Sequence, residues 1–332
     1  MTEIYDVTIV GGGPAGIFAG FYCGLHQLKA QLIEALPQLG GQPATLYPEK
    51  QIWDVAGLAG VTGNQLTQHL IKQLEVAPID YHLNQEVTNV QALLDGTFAV
   101  TTDQTRTHTK AILIALGNGA FAPRKLALIG AEQFEGQQLQ YFVQPKATYQ
   151  DQRVAILGGG DSAIDMALML EPVAKSVTLI HRRDNFRAME HAVNQLKAST
   201  VEILTPYLPQ AIHPGDGQEI ELGLKKMKST ATKQLTVDKL LVNYGFTANN
   251  GALQQWDLPL AGERGRLKVN QQLQTNVKGV YAIGDCAIYD GRADLIATGF
   301  GEAVNAVNAI ARELYPEKSM AKHSSSMNLQ AN

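Results

Sequence analysis

Only two cysteines, Cys23 and Cys286, occur in 332 residues, too few for a disulfide framework or a cluster of cysteine ligands around a metal. Neither has a close partner in sequence, so both read as buried packing residues. Neither sign of charge dominates: the formal net charge is -4 and the pI is near 6.1, which gives a nucleic-acid role no electrostatic support. No uninterrupted apolar run is long enough to span a bilayer. The chain reaches its first apolar run within a few residues of Met1-Thr2-Glu3, so no signal peptide is expected and a cytoplasmic location is the default. What remains, 45% hydrophobic and 17% charged residues, is the material of a globular chain with two real cores.

Glycine is placed where it says most. Gly11-Gly12-Gly13-Pro14-Ala15-Gly16 follows the apolar run Val7 to Val10, and the next apolar run, Gln31-Leu32-Ile33, ends in Glu34. A second loop, Gly158-Gly159-Gly160-Asp161-Ser162-Ala163, follows Val154 to Leu157, and its next strand, Val177 to Ile180, ends in His181-Arg182-Arg183. Gly11 and Gly158 permit a tight turn out of the strand, Gly13 and Gly160 let the backbone approach a pyrophosphate, and Gly16 or Ala163 lets helix and strand pack closely. The pyrophosphate would rest on a helix N-terminus, where free N–H groups and the macrodipole favour an anion. A tight turn with no ligand explains one such motif; strand, loop, helix, strand and terminal polar residue in order, twice, fit that reading poorly. An acidic strand end accepts hydrogen bonds from ribose hydroxyls and repels a 2'-phosphate, and arginines do the reverse. The chain is therefore expected to hold two different dinucleotides, with Arg187 a turn beyond Arg182 and Arg183 joining the phosphate grip.

Between the loops lie an irregular stretch from Pro37 to Gly57, a helix-like segment from Asn64 to Glu75, short strands around Val87 to Val90 and Thr97 to Thr102, and an apolar strand from Ala111 to Leu116. Gly117-Asn118-Gly119 reads as a hinge and Tyr244-Gly245-Phe246-Thr247 as the return. The fold class expected is α/β, with two Rossmann-like three-layer nucleotide-binding domains, 118–246 inserted into a domain made of 1–117 and 247–332. A late strand, Gly279 to Ile283, runs into Gly284-Asp285, and a helix-like stretch follows from Gly301 to Leu314.

The combination of Gly11-x-Gly13-x-x-Gly16 with Glu34, Gly40-Gly41-Gln42, the second glycine loop, His181-Arg182-Arg183-Asp184-x-Phe186-Arg187-Ala188 and Gly284-Asp285 resembles the thioredoxin reductase-like flavoproteins over nearly the whole chain. Within them it is most similar to the ferredoxin–NADP reductases of that build. Thioredoxin reductases carry a Cys-x-x-Cys just before the second glycine loop, where this chain reads Tyr141-Phe142-Val143-Gln144-Pro145-Lys146-Ala147-Thr148-Tyr149, leaving no local thiol relay for disulfide exchange. The resemblance implies FAD in the discontinuous domain and NADPH in the inserted one. It gives Glu34 the adenosine ribose and Asp285 the ribityl chain, and adds Gln42, Tyr47, Val87 and Phe121 to the FAD site. It also implies a homodimer whose C-terminal extension, 319–332, folds over the partner's flavin, with His323 against the ring opposite Tyr47 and Ser325 within hydrogen-bonding distance. By composition alone that serine-rich end reads as a disordered tail, Tyr47 as an ordinary loop aromatic, and Asp285 as a helix cap.

The activity the resemblance implies is FAD-dependent ferredoxin–NADP oxidoreduction: hydride transfer between NADPH and flavin N5, then single-electron transfer to or from ferredoxin or flavodoxin. The flavin carries this chemistry, so no catalytic acid or base is expected. A basic surface for an acidic carrier would come from Lys225, Lys226 and Lys228 or from Arg264, Arg266 and Lys268. A flavin, quinone or oxygen reductase would keep every nucleotide motif. A thioredoxin reductase-like enzyme without its dithiol and a non-enzymatic sensor of NADP redox state are the other readings.

Overall fold

Apolar residues of both parities run through the central strands, the pattern of a sheet covered on both faces. In the computed structural model the described residues are 4–249 and 251–318, and they divide into two units with boundaries at 121/122 and 247/248, the outer segments forming one unit and 122–247 the other.

The first unit is built on a sheet in which Asp80–His82, Ala30–Ile33, Ile4–Val10 and Arg106–Ile114 lie side by side in parallel. Arg106–Ile114 forks: its polar first half pairs antiparallel with Phe98–Thr102, and its apolar second half pairs parallel with Val280–Ala282. Val87–Ala92 completes the antiparallel edge. Val7, Ile9, Leu32, Leu113 and Tyr281 bury into one core, and Val10, Ile33, Ile112, Ile114 and Val280 into another on the opposite face. Helix Gly63–Val76 starts on a capping box, in which Thr62 Oγ1 accepts the Gln65 N–H at 3.2 Å and Gln65 Oε1 accepts the Thr62 N–H at 2.8 Å; the box satisfies two otherwise orphan donors. The final helix spans Ile296–Leu314, beginning before the expected Gly301. Gly299 sits inside it because a Cβ there would stand 3.2 Å from Ala15 Cβ, so it serves close helix packing instead of ending the helix.

The second unit repeats the plan. Leu139–Gln140, Lys239–Val242, Arg153–Leu157, Ser176–Ile180 and Glu202–Leu204 form a five-stranded parallel sheet, again with Ala155 and Leu157 facing one core and Val154 and Ile156 the other. An antiparallel sheet of Tyr207–Pro214, Ile220–Lys226 and Thr232–Val237 adds a layer absent from the sequence reading. In each unit the glycine loop leaves the strand at which the order reverses, the place where open α/β sheets bind ligands.

Candidate functional site

Both glycine loops leave their sheets through the same hydrogen bonds. The Gly11 N–H donates to the Ile33 carbonyl at 2.9 Å and the Ala115 N–H to the Val10 carbonyl at 2.8 Å; the Gly158 N–H donates to Ile180 at 3.0 Å and the Asn243 N–H to Leu157 at 2.8 Å. Gly11 takes φ +109°, and a Cβ there would come within 2.5 Å of the Ala115 carbonyl oxygen, so only glycine fits the turn. A Cβ on Gly16 would overlap the Gly11 carbonyl oxygen. Helices Pro14–Leu25, with proline at its first position, and Asp161–Leu170 begin directly at the loops, which places a helix N-terminus, the end that favours an anion, at each loop.

Gly13 and Gly160 differ from the others. Their backbones are extended, with φ of -73° and -102°. A Cβ on Gly13 would meet no atom within 4 Å, and one on Gly160 only the Arg187 carbonyl oxygen at 3.7 Å. Neither protein packing nor backbone geometry requires glycine there. Each leaves a cradle that a side chain would fill, which fits a dinucleotide lying against the loop.

Around the first loop the expected residues come together. Glu34 is buried, its Oε2 accepting the Gly12 N–H at 2.6 Å and its Oε1 the Leu36 N–H at 2.8 Å, which fixes the carboxylate at the strand end. The Gly40 N–H donates to the Gly12 carbonyl at 2.8 Å. A Cβ on Gly41 would stand 2.9 Å from Gly13 Cα, and one on Gly117 3.9 Å from Gln42 Nε2. Asp285 Oδ2 lies 3.4 Å from Asn118 Nδ2, and a Cβ on Gly284 would lie 3.5 Å from Ala15. Burial, reinforced by the Asp285 and Asp54 carboxylates, pushes the Tyr47 phenol far above its ordinary pKa, so it stays neutral, a hydroxyl donor with an uncharged ring beside the site. Val87 is buried in one core with Val10 and Ile33, the strand ends beside the loop, and its carbonyl accepts the Trp256 indole N–H at 3.4 Å. Phe121 lies on strand Ala120–Pro123, its side chain outside those described. His323, Ser325 and the whole extension 319–332 lie outside the described residues.

At the second loop the turn after Ser176–Ile180 folds back on the glycines. The Arg187 N–H donates to the Gly159 carbonyl at 2.7 Å, and the His181 ring packs over Gly159 and stacks on Phe186 at 5.6 Å. Burial, with the Arg182 and Arg183 charges adding, holds His181 below the usual imidazole pKa. Arg182, Arg183 and Arg187 are exposed and enter no ion pair among the described residues. Ala163 is buried against the strand. Where a dithiol would stand, Tyr141 donates to Glu135 at 2.8 Å and Tyr149, fully buried, donates to Gln140. The two cysteines are buried too, and burial pushes the Cys23 thiol far up and the Cys286 thiol to about 11. Neither is a thiolate at neutral pH.

Sequence reasoning missed a buried group beneath Asp285. Glu302 is 3% exposed, and it accepts the Gly284 N–H at 2.6 Å, the Tyr289 hydroxyl at 2.9 Å and Arg292 Nε at 2.8 Å. The available signal was a lone carboxylate on the apolar helix stripe of Ala303, Ala306, Val307 and Ile310.

The pyridine nucleotide-disulphide oxidoreductase family model matches residues 5–309. The chain is 62% identical to a ferredoxin–NADP reductase of Limosilactobacillus fermentum, over 99% of this chain and all of that protein. It is 51% identical to a ferredoxin–NADP reductase of Levilactobacillus brevis, over the full length of both. Among solved structures, thioredoxin reductase of Lactococcus lactis superposes with a TM-score of 0.78 at 26% identity, covering 94% of this chain and 99% of that one. The thioredoxin reductase of T. acidophilum shares the fold with a TM-score of 0.81 at 22% identity, covering 93% and 98%. No described helix is long and apolar enough to cross a membrane. The chain belongs to the pyridine nucleotide-disulphide oxidoreductase family, on the branch that holds these ferredoxin–NADP reductases.

Proposed function

We propose that the chain is an FAD-dependent ferredoxin–NADP oxidoreductase, with flavodoxin as the near substitute for ferredoxin. The observation that carries this reading is the segment from Tyr141 to Tyr149, where packed tyrosines occupy the place of a dithiol. With both cysteines buried and protonated, reducing equivalents have no thiol route out among the described residues. The high identity to proteins named ferredoxin–NADP reductase over their whole length supports the same reading.

FAD belongs at the first loop and NADPH at the second, which makes 1–117 with 247–332 the FAD domain and 118–246 the NADPH domain. Bound FAD would supply the redox chemistry, hydride acceptance from NADPH at N5 and one-electron release to a carrier. The protein binds, orients and excludes water. Glu34 keeps acceptor capacity for a ribose beyond its two backbone bonds, Gln42 and Asp285 line the approach, and the neutral ring of Tyr47 gives an apolar face. Arg182, Arg183 and Arg187 take the 2'-phosphate through charge-assisted bonds, while the neutral His181 fixes their turn. No side chain is needed as acid or base. Of the two basic clusters, Arg266 is held by Asp294 at 2.8 and 3.0 Å and Lys268 by Glu263 at 3.2 Å. Lys225, Lys226 and Lys228 are exposed, without such partners among the described residues, and are the better surface for an acidic carrier. The reading further takes the chain as a cytoplasmic homodimer whose residues 319–332 cover the partner's flavin through His323 and Ser325.

Purified protein should be yellow with FAD and should turn over NADPH with ferredoxin but not with thioredoxin. Rapid turnover with quinone or oxygen and none with ferredoxin or flavodoxin would move the chain to the flavin, quinone or oxygen reductases.

A further inference from the structure

Arg292 is a buried cation with one unused arm. Its side chain is 2% exposed. Nε donates to Glu302 Oε1 at 2.8 Å and Nη1 to Asp294 Oδ1 at 2.6 Å. Nη2 is buried and makes no hydrogen bond; Asp285 Oδ1 lies 3.6 Å from it, beyond hydrogen-bonding range.

The surrounding acceptors are already committed. Glu302 takes three donors, from Gly284, Tyr289 and Arg292. Asp294 is shared with Arg266 in a two-pronged pair. Asp285 has the most spare capacity: Asn118 Nδ2 lies 3.4 Å from its Oδ2, and the adjoining Gly284 sits against Ala15 in the first turn of helix Pro14–Leu25, at the first glycine loop. Burial raises the Asp285 carboxyl while the Arg292 charge opposes it, which ties the guanidinium to the site electrostatically as well as by distance. A buried cationic N–H without an acceptor is costly, and a scaffold that fixes the other arms of the fork so firmly aims this one. A lysine would satisfy the ion pairs with a single point charge; the planar guanidinium serves separate acceptors in different directions.

We infer that Arg292 is a cofactor-binding residue whose Nη2 donates to an oxygen of the bound flavin nucleotide beside Asp285, with Glu302 positioning it. The inference rests on the reading that the first loop holds FAD. Arg292→Lys keeps a cation between Glu302 and Asp294 and removes the free arm; Arg292→Met removes both. The unfolding midpoint of the FAD-free full-length chain should survive in the lysine variant and fall in the methionine variant. FAD affinity, measured by fluorescence titration, should drop about ten- to hundredfold in both, the range for one hydrogen bond to a charged group. Lys268→Met, which deletes an exposed surface cation, should leave FAD affinity at the parental value. Parental FAD affinity in the lysine variant would overturn the inference, reducing Arg292 to a structural counter-ion. A parent that binds no FAD would instead bring down the functional reading and this inference with it. The crystal structure of the FAD complex decides independently of how the variants fold: Nη2 should lie within about 3.2 Å of a cofactor oxygen, and an Nη2 that closes on Asp285 alone would refute the assignment.

Discussion

A methyl group added at Gly13 would meet nothing within 4 Å, and at Gly160 nothing closer than 3.7 Å, on backbones that any residue adopts. Alanine at either position should therefore leave the unfolding midpoint of the ligand-free chain unchanged. Gly13→Ala should weaken FAD binding, and Gly160→Ala should weaken NADPH binding while sparing FAD. Each loss should be about ten- to hundredfold, from the ~1–3 kcal/mol of inserting a methyl into a filled contact. Calorimetric titration checks both, and Gly16→Ala, whose methyl would strike the Gly11 carbonyl, should by contrast destabilise the fold itself. The arginines allow a second test at this scale. If they grip the 2'-phosphate as proposed, replacing Arg182 and Arg183 by alanine would remove two charge-assisted bonds of roughly 1.5–3 kcal/mol each, so the preference for NADPH over NADH in flavin bleaching should narrow by about two orders of magnitude or more. Equal use of both nucleotides by the unaltered protein would show that His181-Arg182-Arg183 is not a phosphate grip.

Asp6 ties three elements of the first unit together. Its carboxylate accepts the Lys29 N–H at 3.0 Å, Lys110 Nζ at 2.8 Å and the Tyr315 hydroxyl at 2.6 Å, joining strand Ile4–Val10 to Arg106–Ile114 and to the residue that follows helix Ile296–Leu314. Burial pushes the Asp6 carboxyl up, but these donors outweigh it and hold it below the usual carboxylate value of 3.8. A depressed native pKa stabilises the fold above the unfolded value and loses that contribution as pH falls through the native one. Asp6→Asn should thus lower the unfolding midpoint at pH 7 by several degrees, at about 1–3 kcal/mol and roughly 2–4 °C per kcal/mol. The gap from the parent should close as the pH falls below 3.8, and a gap that persists there would show that Asp6 acts through packing. Such ties mark the limit of what the chain discloses as a string of letters. The glycine loops, Glu34 and the arginine turn were legible because each rests on a local pattern: an apolar run, a glycine spacing, a strand end. The start of helix Ile296–Leu314 was not, since Gly299 looks like a break until Ala15 is seen against it. The three-stranded sheet from Tyr207 to Val237 and the Arg292–Glu302–Gly284 group were also hidden. Their partners lie on different elements, and no periodicity links a loop arginine to a carboxylate on the following helix.

Each unit carries its own pair of cores, and the chain passes between the units twice, at 121/122 and 247/248. The described part of the first unit ends on an anchor. Tyr315 is bonded to Asp6 and lies 3.3 Å from Lys110 Nζ; the Lys318 N–H donates to the Tyr315 carbonyl at 3.0 Å, and the Lys318 ammonium sits 4.2 Å over the Tyr315 ring. Truncation after Lys318 keeps this anchor, with Glu34, Asp285 and Arg292 all in place. The shortened chain should fold and hold FAD. If His323 and Ser325 cover the partner's flavin, as proposed, deleting 319–332 exposes one ring face to solvent. Flavin absorption and fluorescence should then shift, electron delivery to ferredoxin should change, and the reduced enzyme should react faster with oxygen, because a water-excluding cover suppresses side reactions. His323→Ala should reproduce part of the effect at parental stability. A truncated protein with the parent's flavin spectrum, ferredoxin turnover and oxygen reactivity would remove the extension from the site and leave the flavin pocket to the residues before 319.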